Sequence, residues 1–141
     1  MLAASNGHLD LVKIFLDVNA RVDVFDQEAR SALHLAAESG NADICEMLLA
    51  KNAYVNSKTK AGWTPLHYVA FNGFNELIHP LVTKHNAAID ATSMKKQTPL
   101  HLAASAGKQA ACDMLISLGA GVDSTDDFGQ KPVSVTRPDL T

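Results

Sequence analysis

One short pattern returns along the chain at a nearly constant interval. "SALHLAA" begins at residue 31, "TPLHYVA" at 64 and "TPLHLAA" at 98, so the intervals are 33 and 34 residues. A row of glycines keeps the same interval: Gly7, Gly40, Gly73 and Gly107. A unit of this length cannot bury its own apolar face, so successive units must cover one another. The repetition therefore predicts a linear array of small units rather than one closed core.

Each unit carries the signals of two helices and a turn. Thr64 and Thr98 are helix-capping residues followed by a proline at the first helical position. The glycine of each unit then ends this first helix. The apolar residues of "ADICEMLLAKN" at 42–52 recur at helical spacing and predict a second helix. The following segment, "AYVNSKTKAGWT" at 53–64, predicts a hairpin-like finger that leads to the next unit.

These motifs together resemble the ankyrin repeat, from residue 1 to about residue 135. The resemblance implies an all-α ankyrin-repeat solenoid built of helix–turn–helix–finger units. It also implies protein–protein recognition through the fingers and the first helices on the concave side. We expect three complete repeats between two partial ones, at 1–25, 26–58, 59–92, 93–125 and 126–141.

Several longer strings indicate a particular branch of this family. "GHLDLVKIFLDVNARVDVFD" at 7–26, "KHNAAID" at 84–90, "KQTPLHLAA" at 96–104 and "DDFGQKP" at 126–132 resemble the ankyrin array of channels of the no-mechanoreceptor-potential-C (TRPN) type. That resemblance implies a segment of an elastic cytoplasmic tether that links microtubules to a mechanosensitive cation channel. The pattern is cut at both ends, so we expect a piece of a longer array. The alternative is a free-standing soluble adaptor in the cytoplasm that binds one protein partner.

The chain departs from the usual ankyrin pattern at a few positions. Ala29 and Lys96 stand where the finger usually has glycine, a slot that favours a positive φ. Pro80 stands where a core leucine is usual, and one extra residue follows it near His85. We therefore expect a local disturbance in the second helix of that repeat, because proline lacks an N–H and crowds the preceding turn.

Composition and spacing argue against several function classes. The net charge of −3 gives no reason to expect nucleic acid, and no stretch approaches the ~20 apolar residues of a membrane span. The histidines His34, His67 and His101 recur once per unit, so we expect them to bond backbone atoms between repeats rather than hold a metal. Acidic residues recur in the same way in the first turn of the second helix: Asp10, Asp43 and Glu76. A negative charge there stabilises the helix by its interaction with the helix dipole.

No catalytic constellation, cofactor or small-molecule substrate is therefore predicted. We also expect Cys45 and Cys112 to be buried and reduced, since they hold the same place in two separate units.

Residues that the repeat does not need are the candidates for binding. Trp63 and Phe71 occupy slots that are normally variable, and Met94 lies at the next finger tip. We interpret them as exposed anchors for a protein partner, and the alternative is that Trp63 packs onto a neighbouring finger. The lysines Lys60, Lys95 and Lys96 form a possible basic strip facing an acidic partner. Equally, the acidic fingers on either side could pair with these lysines, which would stabilise each step by only ~0–1 kcal/mol.

Overall fold

A computed structural model describes residues 27–132, and this part of the chain contains six α-helices and no β-strand. The helices are α1 (Ala32–Ser39), α2 (Ala42–Ala50), α3 (Pro65–Asn72), α4 (Asn75–Thr83), α5 (Pro99–Ser105) and α6 (Gln109–Ser117). The prediction of an all-α repeat array is confirmed. The partial repeat at 1–25 and the last residues, 133–141, lie outside the described residues, as does Asp10.

The first helix of every pair begins at a reciprocal cap. The hydroxyl of Thr64 accepts a hydrogen bond from the His67 N–H at 3.3 Å, and the ring Nδ1 of His67 accepts one from the Thr64 N–H at 2.9 Å. The same capping box starts α1 at Ser31 and α5 at Thr98. Two orphan N–H groups are thereby satisfied at each start, which is why the "TPLH" signal predicts the helix correctly.

A glycine in the left-handed region ends α1 and permits the turn into α2. Gly40 has φ 73°, and its N–H bonds the carbonyl of Ala37 at 3.2 Å. A Cβ atom added there would lie 2.8 Å from the ring of Phe74 in the next repeat. Glycine is therefore required twice over, by the backbone conformation and by the close approach of the neighbouring repeat.

The helices pack in two layers that form one core. α3 lies between α1 and α5, each first helix packs on its own second helix, and α4 contacts α6. Leu33, Leu66 and Leu100 are buried at equivalent positions of the first layer, and small alanines beside them allow close approach of the helices. Each buried leucine stabilises the fold by about 1.5–3 kcal/mol relative to exposure. Because these contacts join neighbouring units, the repeats stabilise one another.

The two cysteines lie in this core, as predicted. Cys45 on α2 and Cys112 on α6 are both buried, and no disulfide joins them. Burial, aided by the neighbouring Glu46 carboxylate, raises the pKa of the Cys45 thiol to about 12. Cys45 is therefore protonated and unreactive at neutral pH.

The fingers are tight turns at 59–63, 93–97 and 126–130. In the first, the Thr59 N–H bonds the Trp63 carbonyl at 2.9 Å, and Gly62 has φ 81°. The equivalent residue of the next finger, Lys96, has φ 60°, and Ala29 has the same value. The prediction of a positive φ in the glycine slot is thus confirmed at both departures.

Main-chain hydrogen bonds connect each finger to the next. The Met94 N–H donates to the Ala61 carbonyl at 2.9 Å, and the Asp127 N–H donates to the Lys95 carbonyl at 2.9 Å. One step earlier, the Lys60 N–H donates to the Glu28 carbonyl at 2.9 Å. The same bond therefore occurs at every step, independently of the side chain that each tip carries.

The disturbance expected within the second helix at Pro80 does not shorten it, since α4 has nine residues, as α2 and α6 do; the irregularity lies in the turn after it. α4 continues through Pro80 to Thr83. The Pro80 carbonyl then accepts from the N–H groups of both Lys84 and His85, and the Ala87 N–H reaches back to Leu81. In α2 the equivalent bond joins Ala53 to Leu48, so the last turn after α4 holds one residue more.

The longer turn reaches the neighbouring repeat. Glu46 on α2 lies 3.0 Å from the Lys84 ammonium and 3.0 Å from Nε2 of His85. Chiefly through the Lys84 hydrogen bond, this contact lowers the pKa of the Glu46 carboxyl. The longer turn after α4 thus adds a polar contact with α2 of the preceding repeat.

Candidate functional site

The repeated histidines fasten each repeat to the next finger. Nδ1 of His67 accepts from the Thr64 N–H, so its Nε2–H is the donor to the Gln97 carbonyl at 2.9 Å. Nε2 of His101 makes the same bond to Gln130 at 2.9 Å. Nε2 of His34 lies 2.8 Å from the Ser57 carbonyl and 2.9 Å from that of Trp63. The predicted structural role of these rings is confirmed.

Burial keeps the imidazole ring of His67 neutral. It lowers the pKa of His67 to about 4, against the opposing effect of the hydrogen bond to Gln97. Both ring nitrogens are already bonded to the protein, so neither is available as a ligand. Within residues 27–132 no group of His, Cys, Asp and Glu side chains is arranged to hold a metal ion.

The Trp63 side chain is half-buried, whereas the sequence predicts an exposed anchor. Its ring lies against α3, with its centroid 4.9 Å from that of Tyr68 and 5.6 Å from that of Phe71. These are the distances of tilted and edge-to-face aromatic pairs. The tryptophan therefore packs on the first helix of its own repeat, and it extends the aromatic surface there instead of projecting alone.

The rest of the Trp63 surface borders a cavity between two fingers. The cavity measures about 350 Å³. Its lining residues come from the fingers at 59–63 and 93–97: Lys60, Ala61, Trp63, Ser93, Met94, Lys95 and Gln97. Four of the six predicted binding residues thus meet at one place.

The other two predicted residues lie nearby. Phe71, at the end of α3, is 40% exposed and contacts the Trp63 ring without lining the cavity. Lys96 follows Lys95 on the finger tip and is exposed, but it does not line the cavity either. We call the six residues together the aromatic–basic face: Lys60, Trp63, Phe71, Met94, Lys95 and Lys96.

The lysines of the face are not paired with acidic side chains of the fingers that the structure describes. In the described part of the chain, Lys60, Lys95 and Lys96 form no ion pair. Asp126, an acidic residue of the following finger, turns inward instead, where its carboxylate accepts from the N–H groups of Phe128 and Gln130 at 2.9 Å. Asp23 and Asp26, on the other side, lie outside the described residues.

Sequence reasoning missed part of the site. Tyr68 replaces the usual leucine of the "LHLAA" motif and braces Trp63, and Ala61, Ser93 and Gln97 complete the cavity lining. The spacing of Tyr68 and Phe71, three residues apart on one helix, was a usable signal because such residues share a face. No sequence pattern indicated the other lining residues, Ala61, Ser93 and Gln97.

These features define a repeat solenoid whose distinctive residues lie on its finger side. The family described as "Ankyrin repeats (3 copies)" matches the chain at residues 1–59 and 52–126. The chain therefore belongs to the ankyrin-repeat family, a non-catalytic module that generally mediates protein–protein interaction. No curated protein matches the chain. None of the helices between residues 27 and 132 is long and apolar enough to cross a membrane.

Proposed function

We propose that this chain is a protein-binding ankyrin module and that its contact surface is the aromatic–basic face. The observation that supports this is the cavity beside Trp63, where side chains from two successive fingers converge. These side chains occupy slots that the repeat motif leaves variable. The hydrogen bond between the two finger tips, from the Met94 N–H to the Ala61 carbonyl, is made by main-chain atoms, so the side chains of these tips are available for a partner.

The composition of the face suits binding energetics. Tryptophan and other large side chains in partly enclosed positions account for most of the free energy at protein interfaces. Met94 is 72% exposed at the cavity rim, and its flexible thioether side chain adapts to varied partner surfaces. Lysines around the rim raise the rate of encounter with an acidic partner.

A second candidate function is a segment of an elastic cytoplasmic tether of a mechanosensitive cation channel, with a cytoskeletal partner such as the microtubule. The observation that favours it is the uniformity of the steps: each has a histidine bond and a main-chain bond between fingers. Uniform steps distribute a load evenly over many interfaces. On this proposal the main partners of the segment are the neighbouring repeats of a longer array.

Site-specific photocrosslinking tests the binding proposal. A photoreactive amino acid at Met94 should capture one discrete protein in the native cell, and the Trp63→Ala variant should reduce that capture at least tenfold. The control places the same group at Asp113, which is exposed on α6. Equal capture from both positions, or capture unaffected by Trp63→Ala, would contradict the proposed surface.

Force–extension measurements test the tether. Tandem copies of the described repeats should lengthen reversibly before any unit unfolds. Abrupt unfolding with no prior reversible extension would exclude an elastic role for this segment.

A further inference from the structure

The chemistry of the aromatic–basic face specifies its occupant more narrowly, provided that the proposed function holds. We propose that it receives an extended acidic peptide segment of the partner. An apolar side chain of this segment enters the cavity against Trp63, and acidic side chains on either side of it meet Lys60 on one finger and Lys95 and Lys96 on the next.

The position of the cavity, rather than its volume, favours a peptide over a small molecule. Its volume of about 350 Å³ lies at the lower end of the ~300–1,000 Å³ range of small-molecule sites. It lies between two finger tips instead of inside the core, and the Trp63 ring, Met94 and Ala61 form much of its wall. A peptide that crosses the fingers can place an apolar side chain, together with adjacent backbone, in such a site.

Hydrogen bonds hold the main chain of Trp63, and aromatic contacts hold its ring, before anything binds. Its carbonyl accepts from Thr59 N at 2.9 Å and from Nε2 of His34 at 2.9 Å, and its own N–H donates to the Thr59 hydroxyl at 3.2 Å. The ring is braced by Tyr68 and Phe71. Binding therefore orders little of the Trp63 part of the face, which lowers the entropic cost of association.

The charges select an acidic occupant. Three lysines are exposed within one finger-to-finger step, whereas the whole chain carries a net charge of −3. The three positive charges lie between Glu28 on the preceding finger and Asp127 on the following finger. No ion pair within residues 27–132 neutralises the three ammonium groups. A segment with carboxylates at both sides of its apolar residue complements this arrangement.

The geometry of the repeat sets the spacing of the motif. Packed helices lie about 8–10 Å apart, and an extended chain advances ~3.3 Å per residue, so roughly three residues cover one step between fingers. We therefore expect two acidic residues about three positions apart, with an apolar residue between them.

Selection from a random heptapeptide display library tests this directly. The library should enrich segments of net negative charge with the acidic–apolar–acidic pattern. The best peptide is then titrated against the intact chain by tryptophan fluorescence, because Trp63 is the only tryptophan in the sequence. A saturable change in fluorescence is expected, and it should be lost when the acidic residues of the peptide are replaced by glutamine.

Two triple variants separate a specific site from general charge attraction. Lys60→Gln, Lys95→Gln and Lys96→Gln together should weaken peptide binding at least tenfold. The control variant, with Lys51→Gln, Lys108→Gln and Lys131→Gln, removes the same charge elsewhere and should bind within twofold of the unaltered chain. Equal weakening in both variants would overturn the proposal, because attraction to net charge alone would explain it.

Other anionic occupants are outcomes of the same titration. A single-stranded oligonucleotide or a phosphatidylserine vesicle that changes Trp63 fluorescence at lower concentration than the peptide would contradict an acidic peptide as the occupant. Enrichment of neutral or basic peptides would do so as well. If Met94 still captures one protein by photocrosslinking in that case, the binding function stands and only its peptide chemistry is wrong.

Discussion

Nε2 of His67 lies 2.9 Å from the carbonyl oxygen of Gln97, so the first helix of one repeat holds the far end of the next repeat's finger. The same ring accepts the N–H of Thr64 through Nδ1. A neutral ring is needed for this pair of bonds, because a protonated one could not accept at Nδ1. Protonation and the connection between the repeats are therefore linked.

This linkage predicts that the array loses stability in mild acid. The pKa of His67 is about 4 in the folded chain and about 6.5 when unfolded, so the unfolded chain takes up the proton first as the pH falls. The free energy of unfolding should decrease from about pH 6.5 to about pH 4, by up to about 3 kcal/mol from this residue, and should change no further because of it below that range. Urea unfolding at pH 7 and at pH 5 measures the loss.

His67→Asn isolates the contribution of this ring. The variant should be less stable at pH 7 and should lose less additional stability at pH 5 than the unaltered chain. Leu66→Val, at the neighbouring buried position, lowers stability without removing a titratable group and should keep the original pH dependence. The same dependence in both variants would show that His67 does not carry the effect.

Gly40 and Gly107 form a matched pair with nearly the same backbone. Their φ angles are 73° and 72°, but a Cβ atom at Gly40 would meet the Phe74 ring, and one at Gly107 would have nothing within 4 Å. We expect Gly107→Ala to cost about 1 kcal/mol of stability for the left-handed conformation alone. Gly40→Ala should cost at least about 1 kcal/mol more, because the ring must move. Equal losses in chemical denaturation would mean that Phe74 yields freely.

Replacing Lys96 by glycine should stabilise the chain slightly. Lys96 adopts φ 60°, a conformation that glycine reaches without strain and lysine does not. The greater freedom of glycine in the unfolded state opposes this gain, so a net increase of no more than about 1 kcal/mol is expected. Thermal unfolding of Lys96→Gly measures it. A loss of several kcal/mol would reveal a stabilising contact of the lysine side chain.

Pro80→Ala should also raise stability. Pro80 lies inside α4 and cannot donate to the Glu76 carbonyl four residues earlier. A proline costs about 3 kcal/mol in an unadapted helix, but α4 already accommodates it, so we expect a gain of about 1 kcal/mol in the free energy of unfolding. Unchanged or lower stability would show that the proline is fully compensated by the turn at its end.

Trp63→Ala should separate binding from folding. Truncating an anchor in an interface typically costs at least ~2 kcal/mol of binding free energy, so affinity for the partner or the selected peptide should fall more than thirtyfold. Stability should fall less, since the ring is only half-buried. His101→Ala is the contrasting variant, because its loss of the Gln130 bond lowers the melting temperature without touching the cavity. A large drop in melting temperature for Trp63→Ala with affinity intact would assign the tryptophan to the scaffold.

The fold was predictable because its signals are local and repeated. The cap at Thr64 and the positive φ at Lys96 each follow from a few adjacent residues, and the 33-residue interval supplies the long-range order. The conformation of Trp63 was not predictable in this way. Its ring packs on Tyr68, five residues further on in α3, and the aromatic spacing on that helix was the one usable signal. The cavity depends on the approach of the finger at 93–97, which no local pattern encodes.

The main-chain bond between the finger tips affects how the sequence of the aromatic–basic face can evolve. Because Met94 is joined to Ala61 through N–H and carbonyl groups alone, replacing either side chain by any residue other than proline keeps this bond. The side chains at the two positions can therefore be exchanged one at a time, with the connection between the fingers kept at each exchange. The surface that we propose for binding can thus vary in sequence while the architecture that carries it stays constant.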